Sequence, residues 1–458
     1  MRVFDRTLSQ SVKSYTSLPS NPQEVLPTLS TARCLSFPLL PVTYPQMHKD
    51  QQQQQNVHMK EQPSTRMGDT CEFTTTQEHL ARALRTVSGV VGRNPTLPIL
   101  GNVLLKSARG QLQISTTDLE VGITAWVTGR MRGEGSVTIP FRTLSEYLQH
   151  LPLGSVTLQI KPGALVITAQ DAEGKKTKAA HAVLQGESAE NFPLIPSLES
   201  GHDLVLPSRE AARGLEKVLY AVATDDTRPE LAGVYAHGEG NTLIFAATDS
   251  YRLAEARLTL PKALPAPVSV IIPGRAATEM RRILESVDEA VLRVGEGQLL
   301  LQTPSAHLVS RRVEGTYPDY TQVLPQQSPT TVDVDRADLL RSIRAAAVFS
   351  EHTVSRVTLE VGDDQLRVTA VTPEVGETDN ALPADVHGEK VTISFNARFL
   401  RDTLSVLVGE RIRIGLGNAT TPAVFRVLTT PVSKSPKSHG EAEQPTLETL
   451  GLIMPIRA

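Results

Sequence analysis

The stretch GSVTIPFRTLSEYLQHLPLGSVTLQI, Gly135–Ile160, decides the fold. Apolar residues alternate up to Ile139, then recur three and four apart at Phe141, Leu144 and Leu148, then alternate again through Val156, Leu158 and Ile160. A period of two, then 3.6, then two spells a strand, an amphipathic helix and a second strand. The same order returns as VSVIIPGRAATEMRRILESVDEAVLRV, Val268–Val294, and as EKVTISFNARFLRDTLSVLVGERIRIGL, Glu389–Leu416. Ile139, Ile272 and Ile393 align in this reading, at offsets of 133 and 121 residues.

A second repeated element precedes each copy. TTQEHLARALRTVSGVVG, LPSREAARGLEKVLYAVATDD and VDRADLLRSIRAAAVFSE read as helices, with Thr76, Ser208 and Asp335 as candidate caps. Alternating hairpins with Gly, Asp or Asn turns follow each one. The chain therefore reads as an α+β protein of three repeated domains, each with two helices and about eight strands. The boundaries fall at 71–194, 195–322 and 323–458, and solenoid repeats are shorter than these.

Residues 1–70 are different. They hold QQQQQ at 51–55, much Ser, Thr and Pro, and no sustained apolar period, so the segment reads as a disordered extension. It is a passenger tail or an over-long gene start with Met67 as the true beginning, or a flexible interaction arm, or a targeting signal. VSKSPKSHGEAEQPT, Val432–Thr446, reads as a long mobile loop before the last strand. No apolar run approaches the roughly 20 residues that span a bilayer. Two cysteines, Cys34 and Cys71, fit a reducing cytoplasm, and neither has the company of a metal site.

The net charge of −3 excludes a strongly basic molecule as a whole. The helices are another matter. Over 77–91, 141–151, 208–222, 274–287, 335–350 and 396–408 there are fourteen Lys or Arg and nine Asp or Glu, a surplus of five. Arg82 and Arg85, Arg341 and Arg344, and Arg398 and Arg401 are three apart; Arg209, Arg213 and Lys217 are four apart. Such intervals gather each set on one helix face. An ordinary solvated face explains this, and so does a phosphate-facing surface that holds a nucleic-acid backbone without reading sequence. The sequence carries no phosphate-binding loop, nucleophile elbow or His/Cys cluster, so no enzyme, cofactor or metal is expected. Asp225-Asp226 reads as turn chemistry.

TVSGVVGRNPTLPILGNVLLKS, ATDSYRLAEARL, EGTYPDYTQVLP and the closing MPIRA resemble the bacterial sliding clamp, the beta subunit of DNA polymerase III, across residues 71–458. The resemblance implies a head-to-tail homodimer closed into a ring around double-stranded DNA, with helices lining the hole. Twelve helices spaced about 9–10 Å apart leave a hole near 25–28 Å. Expected phosphate contacts are Arg82, Arg85, Arg93, Arg209, Arg213, Lys217, Arg275, Arg281, Arg282, Arg341, Arg344, Arg398 and Arg401. At the subunit joint, Val348 and Phe349 are expected to meet an edge strand near Lys178 to Val183.

The resemblance also implies a hydrophobic groove between the second and third domains. Client proteins insert a short peptide there, often a Gln followed by Leu and an aromatic. Its wall is expected from Leu231, Thr248, Ser250, Tyr251, Arg252 and Leu253, with Pro318, Gln322 and Val323 from the linker. Val354, Asn396, Phe399, Thr420 and Pro422 join it, and Leu452, Ile453, Met454, Pro455, Ile456 and Arg457 complete it. Implied partners are the replicative polymerase, an ATP-driven clamp loader and other clamp-binding proteins, at the nucleoid in the cytoplasm, with no membrane. The chain departs from the pattern at Pro229-Glu230, at Tyr251 within SYR, and at Gln322. A protein-binding scaffold without DNA encirclement is the alternative.

Overall fold

Each domain begins with a strand that hands over to a helix, and the handover is local chemistry. Thr76 Oγ1 accepts from His79 N at 3.3 Å, and Asp335 Oδ1 accepts from Asp338 N at 2.9 Å. Both satisfy an amide left without a partner in the first helical turn. Ser208 does not act as the expected cap. Pro207 holds that position, Ser208 is the first helical residue, and its hydroxyl is buried without a side-chain hydrogen bond. Asn396 caps the last helix by accepting from Arg398 N at 2.9 Å.

The computed structural model describes residues 71–92, 95–171, 180–225, 227–350, 355–373, 375–428 and 446–456. The expectations placed on residues 1–70, Arg93, Lys178, Asp226, Val354, Arg457 and almost all of the loop 432–446 lie outside those residues. The first domain runs β1 (Cys71–Thr76), α1 (Gln77–Val87), β2 (Asn102–Ala108), β3 (Gln111–Thr117), β4 (Val121–Val127), β5 (Arg130–Arg132), β6 (Ser136–Pro140), α2 (Phe141–Gln149), β7 (Gly154–Lys161), β8 (Ala164–Asp171) and β9 (Ala180–Gln185). The second runs β10 (His202–Pro207), α3 (Ser208–Leu219), β11 (Gly233–Glu239), β12 (Thr242–Thr248), β13 (Arg252–Thr259), β14 (Val268–Pro273), α4 (Gly274–Leu284), β15 (Glu289–Val294), β16 (Gln298–Gln302) and β17 (Ala306–Arg311). The third runs β18 (Thr330–Asp335), α5 (Arg336–Val348), β19 (Arg356–Val361), β20 (Gln365–Thr372), β21 (Gly376–His387), β22 (Thr392–Asn396), α6 (Ala397–Val406), β23 (Arg411–Leu416), β24 (Ala423–Val427) and β25 (Leu447–Ile453).

The helices bury one stripe each. In α1 that stripe is Leu80, Ala83, Leu84 and Val87, at the i, i+3, i+4, i+7 spacing that faces a core. The first two domains share one continuous apolar core and the third has its own. One equivalence read from the sequence is corrected. Val103 pairs with Ile139, Val234 with Ile272, and the matching Val357 with Phe395, so Phe395 and not Ile393 is the third counterpart. A slip of two leaves every side chain on the same sheet face, so alternation alone cannot detect it.

Sheets continue across domain boundaries. The eight-stranded sheet is ordered β10-β15-β16-β17-β4-β3-β2-β6, so the last strand of the second domain pairs with β4 of the first. The twelve-stranded sheet joins β13 of the second domain to β25, the last strand of the third. Both joints are antiparallel and share one register. Val121 faces Ser310 in the first, and their ladder counterparts Arg252 and Ile453 face each other in the second. The five-stranded sheet, ordered β5-β1-β7-β8-β9, stops at β9.

Candidate nucleic-acid interface and peptide groove

The thirteen expected phosphate contacts do not share one fate. Arg82, Arg213 and Arg344 are exposed, with no side-chain partner among the described residues. Arg85 is exposed too, its Nε donating only to Ala81 O in its own helix at 3.4 Å. Arg398 and Arg401 lie 3.8 and 3.7 Å from Asp402, at the outer limit of an ion pair. Arg209 pairs with Asp288 at 3.0 Å, Arg281 with Glu285, and Arg341 with Asp338. Exposed pairs of this kind open at little cost, so those side chains stay available.

Three others are engaged in ties between domains. Arg282 on α4 donates to Thr86 O at 2.7 Å, to Ser88 Oγ at 3.2 Å and to Arg85 O, while Glu279 holds it at 2.5 Å. It thereby satisfies carbonyls at the C-terminal end of α1 in the neighbouring domain, where a positive charge also suits the helix dipole. Arg275 pairs with Asp118 at 2.8 Å and reaches Val90 O at 3.3 Å. Lys217 on α3 donates to Val406 O at the end of α6, and burial holds its ammonium below the ordinary lysine range. The cationic face thus divides between free charges and ties from helix to helix across the joints.

At the second–third joint several of the expected groove residues come together. Leu231, Leu253 and Leu452 are buried in one cluster with Tyr317, Tyr320 and Val424, and Met454 packs on it. Ile453 is buried in the adjoining third-domain core. The other expected residues are less buried: Thr248, Pro318, Asn396, Phe399, Pro422, Met454, Pro455 and Ile456 are half-buried. Ser250, Gln322 and Thr420 are exposed, Tyr251 is 65 % exposed and Val323 48 %. The Tyr251 and Phe399 rings stack across the domain boundary, centroids 6.4 Å apart. Met454 N donates to Tyr251 O and Ile456 N to Ser394 O, both at 2.8 Å, so the chain end is tied to both domains.

Arg252, expected in the groove wall, ties the second domain to the third. It is 6 % exposed. Its Nε pairs with Asp249 and its Nη1 with Asp402 on α6, each at 2.8 Å. Its guanidinium lies 4.7 Å from the Phe399 ring centroid and 5.4 Å from that of Tyr220. Burial pushes the Tyr220 phenol up to about 12, so it remains neutral beside that charge. Sequence reading missed Asp402, Tyr220 and the stack of Tyr235 between His237 and Tyr317. Asp402 alone left a signal, as the sole acid of α6.

The two residues expected at a subunit joint lie beside a free strand edge. Val348, at the end of α5, is 61 % exposed. Phe349 is half-buried against the third-domain core and neighbours Gly376, where β21 starts. Among the described residues, the first half of β21 pairs with β20 along one side only, and β9 pairs with β8 along one side only.

Among the described residues no helix is long and apolar enough to cross a membrane. Family models described as DNA polymerase III beta subunit match three times: the N-terminal domain over 71–196, the central domain over 205–319 and the C-terminal domain over 321–434. The chain is 31 % identical over 374 residues to the beta sliding clamp of Synechocystis sp., covering 77 % of this chain and 94 % of that protein. It is 30 % identical over 353 residues to the Escherichia coli beta sliding clamp, covering 76 % and 94 %. The crystal structure of a sliding clamp, DNA polymerase III subunit beta, from Pseudomonas aeruginosa bound to griselimycin superposes with a TM-score of 0.75 at 26 % identity, covering 85 % of this chain and all of that one.

Proposed function

Because the chain belongs to the bacterial sliding clamp family, the beta subunits of DNA polymerase III, we propose that two copies close head to tail around double-stranded DNA. It is a processivity clamp of that polymerase, a non-catalytic tether. The observation that carries the ring reading is the pair of open strand edges, on β9 and on the first half of β21. They are the ladder counterparts of β17 and β4, which already pair inside the chain. One register continued through all three joints sets Gly376 opposite Leu184 and Thr378 opposite Ala182 of the other copy. Pairing there hides edges that would otherwise recruit stray strands.

Within this ring Arg82, Arg85, Arg209, Arg213, Arg281, Arg341, Arg344, Arg398 and Arg401 meet phosphates loosely, so the clamp holds by enclosure and slides. The groove at the second–third joint docks short peptides from the polymerase and other clients. An ATP-driven loader opens the ring, and the protein works at the nucleoid in the cytoplasm. Domain boundaries at 194/195 and 322/323 follow from this reading. After loading, the clamp is expected to stay on nicked circular DNA and leave linear DNA within its sliding time. Equal retention on both would remove encirclement and favour a scaffold.

The register is separately testable. Thr378 and Ala182 occupy the site that Ile123 and Leu308 occupy in the first joint. That pair sits between the hydrogen-bonded pairs marked by Arg311 N to Glu120 O and Trp126 N to Ser305 O, so its side chains approach closely. The double variant Ala182→Cys, Thr378→Cys is expected to form a cross-linked dimer under mild oxidation. Ala182→Cys with Asn380→Cys, one step out of register, is expected not to. The reverse pattern would break the register.

A further inference from the structure

We propose that the joint between the first and second domains carries a second groove for short linear peptides, distinct from the groove at the second–third joint. The proposal rests on the peptide reading of that first groove, because the two are repeat counterparts.

The correspondence comes from strand ladders. Val121 faces Ser310 where Arg252 faces Ile453, and Leu299 faces Ser310 where Ala423 faces Ile453. Thr117, Leu119, Glu120 and Gly122 therefore stand where Thr248, Ser250, Tyr251 and Leu253 stand. Gln298, Val309 and Arg311 stand for Pro422, Leu452 and Met454. These residues, with Leu194 and Pro196 from the linker, line a cavity of about 300 Å³. Seven of the twenty residues expected around the client groove thus have their counterparts around a cavity that no sequence motif announced.

The backbone is shared as well. Thr117 Oγ1 donates to Val121 O at 3.0 Å and Thr248 Oγ1 to Arg252 O at 2.7 Å. Asp118 Oδ1 accepts from Glu120 N and Val121 N, and Asp249 Oδ1 from Tyr251 N and Arg252 N. Leu119 and Ser250 both take a left-handed backbone, at φ 80° and 75°. That conformation is unusual for a side-chain-bearing residue and persists only where its surroundings impose it. Both turns are also locked to the next domain, Asp118 by Arg275 and Asp249 through Arg252 to Asp402.

The differences define the occupant. At Gly122 a Cβ would come within 2.8 Å of Ile195 Cγ2, so Ile195 takes part of the space that Leu253 fills elsewhere. Leu194 is 91 % exposed and Leu119 53 %, beside the buried Val309. Glu120 and Arg311 replace Tyr251 and Met454 at the rim. The site has room for one aliphatic anchor of an extended peptide, with one charge of each sign to orient its flanks. A folded protein face would not enter a cavity of this size.

The test is titration of the full chain with a fluorescein-labelled Gln-Leu-Ser-Leu-Phe peptide up to millimolar concentration. Two binding events are expected. Leu194→Glu should weaken the looser one at least tenfold and leave the tighter one, while Tyr251→Ala should do the opposite. A single event that Tyr251→Ala weakens and Leu194→Glu does not overturns the second groove and keeps the first. A single event with the reverse sensitivity keeps the second groove and overturns the reading of the first. No binding at all overturns both.

Discussion

Replacing Arg82, Arg213 and Arg344 together by Ala is expected to flatten the salt dependence of DNA binding. The ring loses six unpartnered charges, three per copy, and each phosphate contact contributes about 0.9 to the slope of log affinity against log salt. The slope should fall by about five. The unaltered clamp should then lose about 10³-fold more affinity than the variant between 50 and 200 mM salt. Fluorescence anisotropy on a short duplex, too small to retain a ring, reads this term without loading or closure. Lys217→Met supplies the contrast. Its ammonium is engaged by Val406 O, so its loss should weaken the second–third joint and leave the slope alone. A triple variant with an unchanged slope, or a Lys217 variant with a lowered one, would reverse the assignment of free charges and ties.

Arg252→Ala is expected to cost about 3–5 kcal/mol in the denaturant unfolding of the full chain. Removing one member of a buried ionic network leaves the others uncompensated. Asp249 and Asp402, with side chains 16 % and 25 % exposed, would face each other without the guanidinium that both contact. The aromatic surfaces of Phe399 and Tyr220 would lose their cation as well. Asp402 keeps Arg398 and Arg401 at 3.8 and 3.7 Å, so the stranded charge is that of Asp249. Peptide affinity at the neighbouring groove should fall with the single variant, since Phe399 and Tyr251 flank the same latch. A cost below about 1 kcal/mol would mean that water fills the site and the latch is not coupled to folding.

Much of the architecture was legible in the chain. The threefold return of strand, helix and strand has strong periodicity, and all six helices fall inside their expected spans. The strand that holds Val183 ends its sheet, and Val348 is exposed. What escaped was of two kinds. Register slips by two are invisible to alternation, which is why Phe395 and not Ile393 completes the set. Tertiary hydrogen bonds to helix-end carbonyls leave no trace in composition. Arg282, Arg275 and Lys217 look like Arg82 and Arg213 in a charge count, and only the fold separates those that meet a carbonyl from those that meet solvent. Ser208 failed as a cap for a similar reason: the preceding proline brings the chain into the helix without a side-chain bond.

The shared register of the joints has a consequence for where such a ring parts. Inside one chain the pairing strands are tethered by a linker, so a momentarily broken ladder finds its partner at the high effective concentration of a short leash. Between copies the same ladder has no leash and must rely on protomer concentration alone. In the proposed ring, one ladder register at three seams therefore yields unequal lifetimes, and the seam without a tether is the one that yields.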